Sequence, residues 1–173
     1  APVGQRAAPL LARERDGLAI MGRKQDVVDA AAQAVKSRLG AENRPIEAAS
    51  AAARGRAIEG AFIIQRGGWY YLFASYDFCC KGKDSTYRMV VGRSKDITGP
   101  YLGKDGSSMM ADGGTRLLGP NDRWAGVGHN GFISDGGKDY VVYHGYDLEK
   151  NGAQTLRISP VTWAADGWPL ISH

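Results

Sequence analysis

From residue 58 onward the chain alternates apolar and polar positions in short runs rich in aromatic and β-branched residues, and these runs are separated by glycine pairs. Ala61–Gln65, Arg66-Gly67-Gly68 and Trp69–Tyr76 predict a β-hairpin, since period-two alternation around a Gly-Gly turn is the pattern of paired strands. Thr86–Gly92 predicts a third strand, and Thr98-Gly99-Pro100 marks a turn. The text then recurs. Phe132-Ile133-Ser134, Asp135-Gly136-Gly137 and Tyr140–Asp147 repeat the hairpin at an offset of 70, which pairs Phe62 with Phe132, Gly67 with Gly137, Tyr70 with Tyr140 and Asp77 with Asp147. Ile97–Leu102 is echoed by Ala165–Leu170 at an offset of 68. A repeated antiparallel unit with glycine turns predicts an all-β fold of β-propeller blades, with units at about 58–102 and 128–170. A β-sandwich with two similar hairpins is the alternative. Each blade buries its faces on its neighbours, so two blades alone leave faces uncovered.

Residues 1–57 follow a different rhythm. Val27, Ala31, Val35 and Leu39 recur every fourth position and predict one weak helix over about 25–39, closed by Gly40. Its stripe of Ala and Val offers little area to bury. Residues 1–24 have no clear period, so 1–57 reads as a mainly helical or irregular extension ahead of the blades in 58–173. Composition sharpens the division: 1–57 holds 16 alanines and no Phe, Trp or Tyr, and it carries the whole net charge of +4. Its basic residues are scattered, without the aromatic platforms that stack bases, which argues against nucleic-acid binding. No apolar stretch reaches the roughly 18 residues of a membrane span. The cluster Ala7–Ala12 stops at Arg13, too short for the core of a signal peptide. With two cysteines, the chain is not a disulfide scaffold.

Candidate chemistry is sparse. Gly126–Gly131 spells the dinucleotide fingerprint, but a loop precedes it and a strand follows, whereas phosphate binding needs a strand before and a helix after. His129, His144 and His173 do not form a zinc spacing. Cys79 and Cys80 are adjacent and are expected as thiols, a strained vicinal disulfide being the alternative. The offset of 70 also pairs Glu59 with His129, each just ahead of the first strand of its unit. In a propeller that strand lines the central channel, so both side chains are expected in one funnel. Paired carboxylates hydrolyse glycosidic bonds, and aromatic residues such as Trp69, Tyr70, Tyr71, Trp124 and Tyr143 suit sugar faces as well as blade packing.

Several runs carry a resemblance: Ile58-Glu59-Gly60-Ala61; Tyr70–Gly82 with Phe78-Cys79-Cys80-Lys81-Gly82; Asp84-Ser85-Thr86-Tyr87; Val91–Ser94; Ile97–Tyr101; Gly128-His129-Asn130; Leu156–Ile158; and Asp166–Pro169. From about residue 57 to 169, these closely resemble the C-terminal part of endo-1,5-α-L-arabinanases of glycoside hydrolase family 43. The resemblance implies a five-bladed propeller, of which this chain carries two blades, that cleaves α-1,5-linked arabinan or arabino-oligosaccharides with inversion. It implies Glu59 as general acid, His129 at a calcium ion held largely through water, and Cys79, Cys80 and Ser85 in substrate binding. It also implies an extracellular or periplasmic location. The family usually has Ala-Pro after the acid, where this chain has Gly60-Ala61. The general base and a pKa-tuning Asp come from other blades, and Asp16, Asp26 and Asp29 lie in no matching motif. The expected partners are therefore the sugar chain and either a homo-oligomer or blades supplied from elsewhere. The alternative function is a carbohydrate-binding or interaction half-propeller without catalysis, or an inactive truncated product.

Overall fold

The computed structural model describes residues 11–14, 17–20 and 58–172. The predicted helix at 25–39 lies outside the described residues. Ten strands run antiparallel: β1 (Leu11–Glu14), β2 (Gly17–Ile20), β3 (Ile58–Arg66), β4 (Trp69–Tyr76), β5 (Arg88–Ser94), β6 (Thr115–Leu118), β7 (Trp124–Asp135), β8 (Lys138–Asp147), β9 (Ala153–Trp163) and β10 (Pro169–Ile171). They form two meandering sheets, β1-β2-β3-β4-β5-β6 and β10-β9-β8-β7. Strand β3 of the first sheet and the edge strand β7 of the second lie side by side, and the edge strands β6 and β10 also meet. This is the geometry of two successive propeller blades. The hairpin β1–β2 was not expected from residues 1–24. It joins the inner edge of β3 through Gly17 opposite Ile64 and Leu18 opposite Ile63, so backbone pairing with an existing edge forms it where no side-chain period signals it.

The two hairpin turns are built alike. Gly67-Gly68 and Gly136-Gly137 all have positive φ, the conformation a two-residue turn needs to match the twist of its strands. Their positions correct the repeat. Arg66 and Trp69 flank the first turn, whereas Asp135 and Lys138 flank the second, an offset of 69 rather than 70. The bulges agree: β3 slips between Glu59 and Phe62, and β7 between Gly128 and Gly131. One residue decides which way every side chain points, because strand side chains alternate between faces. Ile64 therefore corresponds to Ile133, Tyr71 to Tyr140, and Phe73 to Val142. Glu59 corresponds to Gly128, and His129 to Gly60. The identities at 70 arise from letters that recur on opposite faces.

One core lies between the sheets. Ile64, Tyr71, Phe73, Met89, Val91 and Leu118 from the first sheet meet Val127, Val141, Tyr143, Val161 and Trp168 from the second region. Tyr71 packs edge-on against Trp163 at 5.1 Å, and Phe73 meets Phe132 at a 40° tilt with centroids 5.5 Å apart. Burying each such side chain stabilises by about 1.5–3 kcal/mol, and an aromatic pair adds about 0.5–1.5 kcal/mol. The far face of the first sheet, with Leu72, Ala74, Tyr76 and Val90, is closed by Tyr101 and Met109 from the β5–β6 connection. Polar stitches hold the two sheets in register. The Tyr71 hydroxyl donates to Gly167 O at 2.6 Å. Arg93 donates to Asp166 O at 2.8 Å while its guanidinium lies over both Trp69 and Trp168.

At the hairpin rim the Asp139 carboxylate accepts from Arg66 at 3.1 Å, from Ser134 at 2.6 Å and from the Trp163 indole N–H at 2.7 Å. Replacing Asp139 by Ala strands that partly buried indole donor. The expected loss is about 1–3 kcal/mol of unfolding free energy, measured as a lower urea midpoint with an unchanged slope.

Candidate active site

Where the inner strands touch, backbone meets backbone. A Cβ built on Gly60 would stand 3.0 Å from His129 Cα, and Gly60 has φ 61°, so glycine serves here for both space and conformation. Glu59 stands one residue earlier, opposite Ser75 of β4. The Ser75 hydroxyl ties the blades together: it accepts from His129 N–H at 2.7 Å and donates to Asn130 Oδ1 at 3.4 Å. His129 itself has φ 54° and an exposed side chain, while Asn130 beside it is buried. A left-handed conformation at a non-glycine residue is uncommon and gathers at functional positions.

Beneath this junction lies Tyr87, whose side chain is fully buried. The missing Cβ of Gly128 makes room for it, since a Cβ there would fall 2.5 Å from the Tyr87 ring. The ring stacks on His144 at 5.7 Å, and His144 stacks on His129 at 6.3 Å. The Tyr87 hydroxyl lies near Ser75 and Glu59, yet among the described residues neither it nor His144 Nε2 completes a well-aligned hydrogen bond, although both atoms are buried. Two buried, unsatisfied polar atoms beside a carboxyl group mark a place for water or a ligand hydroxyl. Burial drives the Tyr87 hydroxyl far above its ordinary range, so it stays protonated and acts as a donor.

The 77–87 connection closes one side. Cys79 and Cys80 are joined in a disulfide, so the expectation of two thiols is corrected. Cys80 N–H donates to the Tyr146 hydroxyl at 2.8 Å, and Tyr146 meets His144 edge-on at 5.5 Å. Ser85 is buried against Gly126, and its hydroxyl accepts from Lys81 N–H at 3.0 Å, which closes the turn. Glu59 and His129 thus lie at one junction, and the disulfide reaches it through Tyr146. Ser75, Tyr87 and His144 are site residues that sequence reasoning did not single out. Tyr87 stood at the end of a quoted run, while Ser75 and His144 sat within predicted strands and carried no separate signal. Among the described residues no group of three or more His, Cys, Asp or Glu stands together to hold a metal.

Burial first, then repulsion from His129, holds the His144 imidazole below its usual pKa, with Glu59 opposing. The unfolded chain, at about 6.5 for free histidine, therefore takes up this proton before the folded one does. Stability contributed by neutral His144 is complete above about pH 6.5 and declines as pH falls through the interval toward the folded value. Melting temperature is expected to drop between pH 7.5 and 5.5, and His144→Gln to flatten that slope, as followed by circular dichroism.

The family described as Glycosyl hydrolases family 43 matches residues 18–169, beginning inside β2, upstream of the first quoted motif. The extracellular exo-α-(1→5)-L-arabinofuranosidase of Cellvibrio japonicus is 48% identical over 116 residues, which are 67% of this chain and 33% of that protein. The extracellular endo-α-(1→5)-L-arabinanase 1 of Bacillus subtilis is 44% identical over 115 residues, 66% of this chain and 34% of its own. Among solved structures, the arabinanase of Cellvibrio cellulosa complexed with arabinohexaose superposes with a TM-score of 0.64 at 49% identity, covering 66% of this chain and 36% of that one. The family 43 endo-arabinanase of Bacillus licheniformis gives 0.66 at 46% identity, covering 70% and 41%. The chain thus spans about a third of the length of the curated relatives it matches. A match over residues 18–169, together with two blades that superpose on arabinanases, places the chain in glycosyl hydrolases family 43.

Proposed function

We propose that this chain carries the acid-donating half of an arabinan-hydrolysing site, acting on α-1,5-linked arabinan or arabino-oligosaccharides with inversion. The observation that carries this reading is the placement of Glu59 at the inner end of β3, against the His129 junction and beside the buried Tyr87 hydroxyl. In a single displacement, the protonated Glu59 carboxyl gives its proton to the departing glycosidic oxygen. Water adds to the anomeric carbon from the opposite face, and its proton passes to a second carboxylate about 6.5–9.5 Å from the first. That base is assigned to another blade. The Tyr87 hydroxyl, buried beside Glu59, and His144 Nε2 offer hydrogen bonds to a sugar hydroxyl or its water. The Cys79–Cys80 loop forms a wall for the sugar ring, with Ser85 holding its turn. The naming of two relatives as extracellular supports an extracellular or periplasmic location.

Arabinan cleavage, assayed in the presence of the complementing blades, is expected to fall about 100- to 10,000-fold in Glu59→Gln. An aryl arabinofuranoside whose leaving group needs no proton is expected to lose far less. Equal losses on both substrates would remove Glu59 from the acid role. Binding of arabino-oligosaccharide without any cleavage in the complemented protein would favour the binding module.

For His129 the proposal is contact with a hydrated calcium ion, met by this one imidazole and otherwise by water. Because an ion that binds only the folded chain stabilises it by linkage, millimolar calcium is expected to raise the melting temperature, and His129→Ala to abolish the rise. An equal rise in both proteins would place the ion elsewhere.

A further inference from the structure

Tyr146 is buried, yet it lies in neither of the two hydrophobic clusters that pack against the sheets. Blade packing does not require a phenol here. At the offset of 69 the counterpart of Tyr146 is Asp77, which follows β4 and accepts from Arg88 at 2.7 Å. The second sheet instead carries β8 on through Tyr146 to Asp147. The ring meets His144 edge-on at 5.5 Å, and the hydroxyl accepts the Cys80 N–H at 2.8 Å. One side chain therefore touches two parts of the candidate site that come from different sheets.

The loop that carries Cys80 is shaped from within. Thr86 and Tyr87 donate their N–H groups to Phe78 O, Asp84 N–H donates to Lys81 O, and Lys81 N–H donates to the Ser85 hydroxyl. These bonds fold the loop but do not fix its position on the second sheet. Gly126 and Gly152 let it approach, since a Cβ at the first would collide with Ser85 and one at the second with Lys83 N. Contact with glycine backbone is non-directional, whereas a hydrogen bond sets both distance and angle. Cys80 supplies that bond from φ 69°, a left-handed conformation that a non-glycine residue keeps where its surroundings impose it.

Resting on the reading of this loop as a wall for the sugar ring, we propose that Tyr146 is the positioning residue of that wall. Its hydroxyl pins the Cys79–Cys80 loop of the first sheet to the strand of the second that bears His144. Where the disulfide stands relative to His144 is then set by one phenol oxygen. A wall meets the sugar in the ground state and in the transition state alike, so loosening it weakens binding and spares turnover.

The test uses Tyr146→Phe, which keeps the ring against His144 and removes the oxygen alone. Amide hydrogen exchange of the full chain, read residue by residue by NMR, is expected to quicken about tenfold at Cys80. The amides of Val141 and Tyr143 in the β8 ladder should hold their rates. As a control, Tyr101→Phe removes a buried phenol bond of the same length, to Ile97 O at 2.8 Å, and should leave Cys80 exchange and sugar binding unchanged. In the protein supplied with the complementing blades, calorimetry in a Glu59→Gln background reads arabino-oligosaccharide binding without cleavage. Tyr146→Phe is expected to weaken that binding about 3- to 10-fold, the loss of one neutral hydrogen bond. With Glu59 intact, kcat should stay within about twofold. Unchanged exchange at Cys80, unchanged affinity, or a loss confined to kcat overturns the proposal. If exchange and affinity shift as expected but the wild-type protein cleaves nothing, the positioning role stands and the glycosidase reading falls.

Discussion

The approach of β3 to β7, backbone against backbone, is the contact on which the other features hang. Two twisted sheets can share a core only if their inner strands come close, and here the closeness is set by Gly60 against His129 Cα. The bulges at this level turn both chains into the left-handed region, which tightens the local twist and re-aims the neighbouring side chains. Farther out, the aromatic layer of Tyr71, Phe73, Phe132 and Trp163 fills the widening gap. At the rim, Arg66, Asp139 and Trp163 close it with a shared carboxylate.

The candidate site follows from the same contact. Glu59 stands at the blade junction, and the Ser75 hydroxyl opposite it bonds to His129 N–H and Asn130 Oδ1 of the neighbouring blade. Tyr87 fills the space that Gly128 leaves open, and among the described residues the unsatisfied Tyr87 hydroxyl and His144 Nε2 depart from the rule that buried polar groups are paired. The stability of the two-blade unit and the polarity of its channel are therefore coupled. The glycines that let the sheets meet also admit the polar groups under Glu59.

Much of this was legible in the chain. Alternation around Gly67-Gly68 and Gly136-Gly137 marked both hairpins, and the Ile58–Ala61 and Gly128–Asn130 runs pointed to Glu59 and His129. The internal repeat was read one residue out, since identical letters at an offset of 70 outscored the structural register of 69. The β1–β2 hairpin escaped notice because it rests on edge pairing with Ile63 and Ile64. Tyr87 and His144 escaped because a buried tyrosine or histidine in a β-rich segment is written no differently from a packing residue.

What the amino-acid order determined alone is local: which stretches extend, where glycines permit turns, and which family's motifs the chain bears. Those depend on steric and apolar preferences that act over a few residues. Which face of each strand meets the neighbouring sheet was decided by the tertiary structure, as were the joining of Cys79 to Cys80, the gathering of Glu59, Tyr87, His129 and His144, and the exposure of Leu156 and Ile158. A bulge shifts strand register by single residues, and a period of two turns each such shift into an exchange of inside for outside.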